Sequence, residues 1–257
     1  MIDIHTHILP ALDDGSDSME ESLEMAEMAV RGGTRIVAAT PHCNVRGRFE
    51  NYEDSGERLE VFRQFRKLLE EEGIPLRVAQ GMEIYGVGDI RALIQQRQLI
   101  SLNHSGNYLI EFPFDMHPDE ITDGLYMVFE AGGVPVLAHP ERYYCVQDTP
   151  NLVYHWMHEG VLTQINMGSF LGAFGRREER TAVALLEHGL ITCLASDCHG
   201  TRWRSPDMRR ARDYIRERIS RETANLLFHE NPRAILAGEK VRREPMREIR
   251  ERRRFFS

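Results

Sequence analysis

Seven short β-prone runs recur along the chain, and each is separated from the next by a stretch with helical periodicity. The runs are MIDIH, TRIVAAT (34–40), PLRVAQGMEI (75–84), NYLIEF (107–112), VPVLAH (134–139), LTQINM (162–167) and TCLAS (192–196). Between them, Met19, Leu23, Ala26 and Val30 form one helical stripe, with Ser16 or Ser18 to cap it and Gly32-Gly33 to stop it. Phe62, Phe65 and Leu69 form a second, ended by Gly73. A third runs from Pro118-Asp119-Glu120 to Gly132-Gly133. Val183, Leu186 and Leu190 mark a fourth, and Met208, Ala211, Ile215 and Ile219 a fifth. Such alternation predicts parallel strands covered by helices. Seven units without a low-complexity linker favour an α/β fold closed as a (β/α) barrel. A doubly wound sheet is disfavoured by the lack of any Gly-rich dinucleotide or P-loop fingerprint.

With 257 residues, of which 42% are hydrophobic, the chain can bury a full core. The formal net charge of −8 argues against nucleic acid as a partner. From Arg242 onward seven arginines stand against three glutamates, so residues 242–257 read as an Arg-rich tail, either a solvated helix or disordered end, or a segment docked on an acidic partner or on anionic lipid headgroups. No apolar run reaches membrane-spanning length. Cys43, Cys145, Cys193 and Cys198 show no spacing of a disulfide framework or thiolate zinc site, which fits a cytoplasmic protein.

The ionisable residues follow the strand map. Asp3, His5 and His7 alternate on the first run and share a face if it is extended. His42 follows the second run, Glu83 ends the third, Glu111 the fourth, His139 the fifth and Asn166 the sixth. Asp197 and His199 follow the seventh. In a (β/α) barrel these ends converge on one mouth. Carboxylates and imidazoles buried there without countercharge would be costly, and divalent metals supply that charge. The donors are nitrogen and oxygen, which suits Mn, Fe, Zn or Mg, and they are too many for one ion. A carboxylate between two ions would give a multinuclear site whose bridging hydroxide is a nucleophile at neutral pH.

The motifs H-T-H, D-D-G, T-P-H, GMEIY, IEFP, AHPER and S-D-C-H, in this order, resemble the PHP (polymerase and histidinol phosphatase) superfamily of metallophosphoesterases. Within it the chain is most similar to the bacterial manganese-dependent tyrosine-protein phosphatases of capsular and exopolysaccharide synthesis. The resemblance runs from Met1 to about Gly238. It implies a distorted TIM-like (β/α)7 barrel, a metallophosphatase domain over 1–241 and three divalent metal ions, Mn²⁺ first among them. His5, His7, Glu83 and Asp197 would hold the first ion. Glu83 would bridge to a second, held also by Glu111 and His139. Asp14, His42 and His199 would hold the third, with Asp13 the competitor to Asp14. Arg142 and Arg204 would grip the phosphoryl oxygens, a role that suits guanidinium geometry, with Arg202 nearby. Gly200 and the Ser-Pro after Arg204 depart from the subgroup's pattern. The implied substrate is a phosphotyrosine protein, an autophosphorylating tyrosine kinase.

Three rival readings are weaker. HCNVRGR suggests the H-C-x5-R loop of cysteine phosphatases, but only four residues separate Cys43 from Arg48 and the next position is Phe49. A phosphoesterase acting on a small monoester such as histidinol phosphate would share the ligand set. A non-catalytic phosphotyrosine-binding protein would not need several metals.

Overall fold

A computed structural model describes residues 1–53 and 56–249; residues 250–257 of the Arg-rich tail lie outside the described residues. Among the described residues the strands are β1 (Ile2–Thr6), β2 (Ile36–Ala39), β3 (His42–Cys43), β4 (Arg77–Gln80), β5 (Glu83–Tyr85), β6 (Asn107–Glu111), β7 (Val134–Ala138), β8 (Leu162–Asn166) and β9 (Cys193–Ala195). They form two parallel sheets, of order β1-β2-β4 and β3-β5-β6-β7-β8-β9.

Nine strands stand where the sequence suggests seven because two are interrupted. The second stops at Ala39, and the chain resumes in the other sheet at His42, after Pro41, which has no N–H to give a ladder. The third divides at Gly81-Met82. A Cβ at Gly81 would lie 2.9 Å from the side chains of both Thr40 and Leu102, so the backbone passes where a side chain cannot. At these breaks Thr40 N–H donates to Thr6 O (2.8 Å) and Glu83 N–H to Pro41 O (3.1 Å). On the other flank of β1, Asp197 N–H donates to His5 O (2.9 Å) and His7 N–H to Cys198 O (3.0 Å).

The helices are α1 (Met19–Arg31), α2 (Gly56–Glu71), α3 (Ile90–Gln95), α4 (Pro118–Glu130), α5 (Tyr144–Asp148), α6 (Asn151–His158), α7 (Met167–Phe170), α8 (Arg176–Glu187), α9 (Arg209–Arg218), α10 (Arg221–Asn225) and α11 (Asn231–Ala237). Of the two serines offered as caps for α1, Ser18 serves, its Oγ accepting from Glu21 N–H (3.2 Å). Helix α4 begins with Pro118, whose missing N–H costs nothing in a first turn. The buried face of α1 centres on Ser22, Met25, Ala26 and Ala29. That of α8 centres on Thr181, Ala182, Leu185 and Leu186, with Leu190 beyond the helix end.

Strand alternation separates core from site. Ile84, Ile110 and Ile165 pack with helix residues such as Leu125, Val153 and Leu185 in one apolar cluster. Their neighbours Glu83, Glu111, Gln164 and Asn166 point the other way, as the period of two requires. A second cluster joins strands of both sheets to α11 through Ile4, Ala38, Leu109, Val136, Ala195 and Ile235. The described part of the tail runs along this body. Asn231 and Arg242 exchange hydrogen bonds (2.8 and 2.9 Å), as do Asn151 and Ile249 (2.9 and 2.7 Å).

Candidate metal centre

The nine expected ligands come together. Asp14, His42, Glu83, Glu111, His139, Asp197 and His199 line one cleft of about 300 Å³, along with Arg142 and Arg204. His5 and His7 are fully buried against Glu83 and Asp197.

Among the described residues, three groups of donor atoms can each surround a cation. The first is His5, His7, Glu83 and Asp197. Glu83 Oε2 lies 3.1 Å from both His5 Nε2 and His7 Nε2, and Asp197 Oδ1 lies 3.3 and 3.4 Å from the same two atoms. The second comprises His42, Glu83 and Glu111. His42 Nδ1 is 3.1 Å from Glu83 Oε2 and 3.5 Å from Glu111 Oε2. His139 joins them from the far side, with Nε2 3.0 Å from Glu83 Oε1 and 3.7 Å from Glu111 Oε1. The third is His7, Asp14, His42 and His199, where Asp14 Oδ1 is 3.4 Å from His42 Nε2 and 3.5 Å from His199 Nε2.

Geometry separates the two aspartates that spacing leaves open. Asp14 is half-exposed and faces the cleft. Asp13 is turned inward: Oδ2 accepts from His7 Nδ1 (2.6 Å) and from His42 N–H (2.9 Å), and Oδ1 from Gly15 N–H (2.9 Å).

A chain of hydrogen bonds fixes how His5 is presented. Asn166 Nδ2 donates to Asp197 Oδ2 (2.6 Å), because a carboxylate can only accept. Asn166 Oδ1 therefore faces Gln164 Nε2 (2.9 Å), and Gln164 Oε1 faces His5 Nδ1 (2.8 Å). His5 must carry its proton on Nδ1. His7 must do the same, because its Nδ1 faces the Asp13 carboxylate. Both Nε2 lone pairs then meet 3.2 Å apart, beside two carboxylate oxygens. That arrangement repels itself unless a cation or protons sit at its centre. Buried Asp197 Oδ1 and His42 Nδ1, which face these groups, have no hydrogen-bond partner among the described residues. The donor set and its orphaned atoms fit divalent cations.

Without such cations the charges distort one another. Burial opposes charge on His7, but Asp13, Asp197 and Glu83 together hold its pKa well above the usual imidazole range. Burial would raise Glu83, yet the surrounding imidazoles hold it well below the carboxylate range. Glu111 is pushed up to about 8 by burial and by the charge of Glu83. His139 is pushed down to about 4 by burial, which outweighs the pull of Glu83. Neighbouring groups driven apart in this way are frequent at functional sites.

The two arginines meet on one carboxylate. Arg204 pairs with Asp197 Oδ2 and donates from Nε to Asp197 O (3.0 Å), while Arg142 Nη1 lies 3.9 Å from the same Oδ2. Arg202 is exposed, in a groove that runs from Asp14, His199 and Arg204 to Glu20, Glu21 and Glu24. His139, Asp197 and Arg204 all have left-handed backbones, with φ of 33°, 50° and 54°. Non-glycine residues hold that conformation at a cost of about 1–3 kcal/mol each, which the surrounding structure must offset. Cys43 is buried in the apolar core and does not line the cleft.

Sequence reasoning missed Asp13 as the partner of His7 and Gln164 as the partner of His5. Gln164 was within reach, since it lies two residues from Asn166 on the same strand face. Phe114 and Phe174, whose rings flank Arg142, carry no sequence signal of that role.

Known proteins share this architecture. Residues 1–237 match the family model described as capsular polysaccharide synthesis, CpsB/CapC. The tyrosine-protein phosphatase YwqE of Bacillus subtilis is 38% identical over 255 residues, covering 99% of each chain. The tyrosine-protein phosphatase CpsB of Streptococcus pneumoniae is 33% identical over 246 residues, covering 94% of this chain and 100% of the relative. A crystal structure from work on these two proteins, described as metal-dependent tyrosine phosphatases, superimposes with a TM-score of 0.90 at 37% identity, covering 98% of this chain and 100% of that one. Dihydropyrimidinase from Brevibacillus agri matches in fold alone, with a TM-score of 0.52 at 10% identity over 92% of this chain and 70% of its own. The chain belongs to the CpsB/CapC family of capsular polysaccharide synthesis proteins.

Proposed function

We infer that this protein is a metal-dependent protein-tyrosine phosphatase of bacterial polysaccharide synthesis, acting on a phosphotyrosine protein. The observation that carries this reading is the pair of Nε2 lone pairs of His5 and His7, locked toward Glu83 and Asp197 beneath a cleft that also holds two guanidinium groups. Three ions, Mn²⁺ first among them, suit the three donor groups: His5, His7, Glu83 and Asp197; Glu83, Glu111 and His139 with His42 alongside; and Asp14, His42 and His199. The seven-walled, distorted TIM-like (β/α)7 barrel of the PHP type belongs to the same reading, supported by the hydrogen bonds on both flanks of β1. So do a metallophosphatase unit over 1–241, an Arg-rich C-terminal tail over 242–257, a cytoplasmic setting and an autophosphorylating kinase as substrate. No helix among the described residues is long and apolar enough to cross a membrane.

In the reaction, water adds to phosphorus as the bond to the tyrosyl oxygen breaks, giving tyrosine and inorganic phosphate. Bound divalent ions supply the positive charge that activates water and offsets charge on the phosphoryl group. Arg142 and Arg204 would orient the phosphoryl oxygens for in-line displacement. Asp13 and Gln164 hold the imidazoles of His7 and His5 with their Nε2 atoms toward Glu83 and Asp197, where they would hold a cation. A tyrosyl leaving group, of pKa about 10, needs less proton donation than an alkoxide. Phe49, Tyr85 and Phe114 line the cleft and suit an aryl ester.

The test is phosphate release from a phosphotyrosyl peptide, a phosphoseryl peptide and histidinol phosphate by the metal-loaded protein. Preference for the first supports the reading. Preference for histidinol phosphate would assign the site to small monoesters.

A further inference from the structure

Phe174 lies on the loop after α7. It is the one aromatic ring, among the described residues, that stands over both cleft arginines. The Arg142 guanidinium carbon is 4.7 Å from its centroid and that of Arg204 is 5.8 Å away. Arg142 also stacks on Phe114, at 4.4 Å. The local chain is shaped to deliver this ring. After Phe170 the chain turns back on itself through hydrogen bonds from Leu171 N–H and Ala173 N–H to Gly168 O (3.1 and 3.0 Å). Gly172 and Gly175 take φ of 70° and 125°, which a side chain would strain. Gly168 provides the seat, since a Cβ there would lie 2.9 Å from Phe174 Cε2. This gives a reason for the glycine in QINMGS that the metal groups do not.

We propose that Phe174, seated on Gly168, is a positioning residue that holds Arg142 and Arg204 as one anion-gripping pair. The inference rests on the reading that these arginines grip the phosphoryl group. Both guanidiniums already approach Asp197 Oδ2. A ring shared between them limits how far either can swing out to solvent, and stacking on an aromatic face preserves the in-plane N–H donors for phosphate. Phe174 belongs to none of the three donor groups, so its effect is separable from metal loading.

The experiment uses the metal-loaded protein and measures kcat and KM on a phosphotyrosyl peptide, competitive inhibition by inorganic phosphate, and metal content. Phe174→Ala is expected to weaken phosphate inhibition and lower kcat/KM on the order of tenfold with metal content unchanged. Phe174→Tyr, which keeps the ring, should stay near the parent. Gly168→Ala, whose added Cβ would meet Phe174 first, should reproduce the loss by displacing the ring. In an Arg142→Ala, Arg204→Ala background, Phe174→Ala should cost nothing more. A silent Phe174→Ala beside damaging arginine variants would overturn this inference and leave the anion site standing. An undiminished Phe174→Ala effect in the arginine-free background would overturn it too, by showing that the ring acts elsewhere. Silent arginine variants would remove the anion-site reading itself, and this inference with it.

Discussion

The Asp13 carboxylate accepts a 2.6 Å hydrogen bond from His7 Nδ1, and so decides that Nε2 is the nitrogen turned toward Glu83 and Asp197. Asp13→Ala should therefore keep the fold but weaken metal binding about 10–100-fold, the usual effect of losing a carboxylate that orients a ligating histidine. Asp14→Ala should instead abolish binding at the group it shares with His42 and His199. Metal titration of both variants checks the distinction. Equal, partial losses would show that the two aspartates do not divide the work in this way.

Chelation should eliminate turnover, and added Mn²⁺ should restore it. Protons would compete with a metal held by His7, whose pKa is held high by Asp13, Asp197 and Glu83 against the cost of burial. Apparent metal affinity should accordingly rise with pH. In the chelated protein the sign reverses for this group. Its stabilising charge is fully present below the unfolded imidazole pKa and is lost as pH rises through the raised folded value. Melting temperatures of chelated and loaded protein across pH, with metal affinities on the same buffers, test both directions.

Arg142→Ala and Arg204→Ala should each retain metal and lose on the order of 10²–10³ in kcat/KM, the scale for removing one donor to a developing oxyanion. Arg202→Ala, on an exposed side chain, should be close to silent. Kinetics and metal analysis on the same samples decide it. A damaging Arg202→Ala with a silent Arg204→Ala would move the second clamp.

Gly124 sits inside α4, where replacement by alanine ordinarily favours the helix by about 1 kcal/mol. Here the added Cβ would lie 2.5 Å from Phe112 Cε1 in a fully buried contact. Overpacking of this kind costs about 1–3 kcal/mol, so Gly124→Ala should be net destabilising. Chemical denaturation of the metal-loaded protein reads the sign.

Much of this was legible because strands and metals both impose simple spacing. H-x-H on a strand shares a face by periodicity alone, and the polar residues ending successive runs had to meet once the runs were parallel. What sequence left open depended on loop conformation. Asp13 and Asp14 differ by one residue, and only the turn into Gly15 sends one inward and the other to the cleft. His42 was expected at one metal group, but its two ring nitrogens face two. The break after Ala39 is explained by Pro41, yet the one at Gly81 follows from side chains of Thr40 and Leu102 that spacing cannot place. Short helices such as α3 and α11 have too few turns to display a period.

The first strand also bears on the order of assembly. Ser196 N–H donates to Asp3 across 193 residues of sequence, and Asp197 meets His5 over nearly the same span. The contacts that complete the donor set are thus among the most non-local in the chain, and such contacts form only after the entropy of closing long loops has been overcome. On a ribosome, the His5, His7, Glu83 and Asp197 group cannot exist until the segment after β9 has emerged. A cation captured there would work as a late clasp, holding together two regions that chain entropy would otherwise separate.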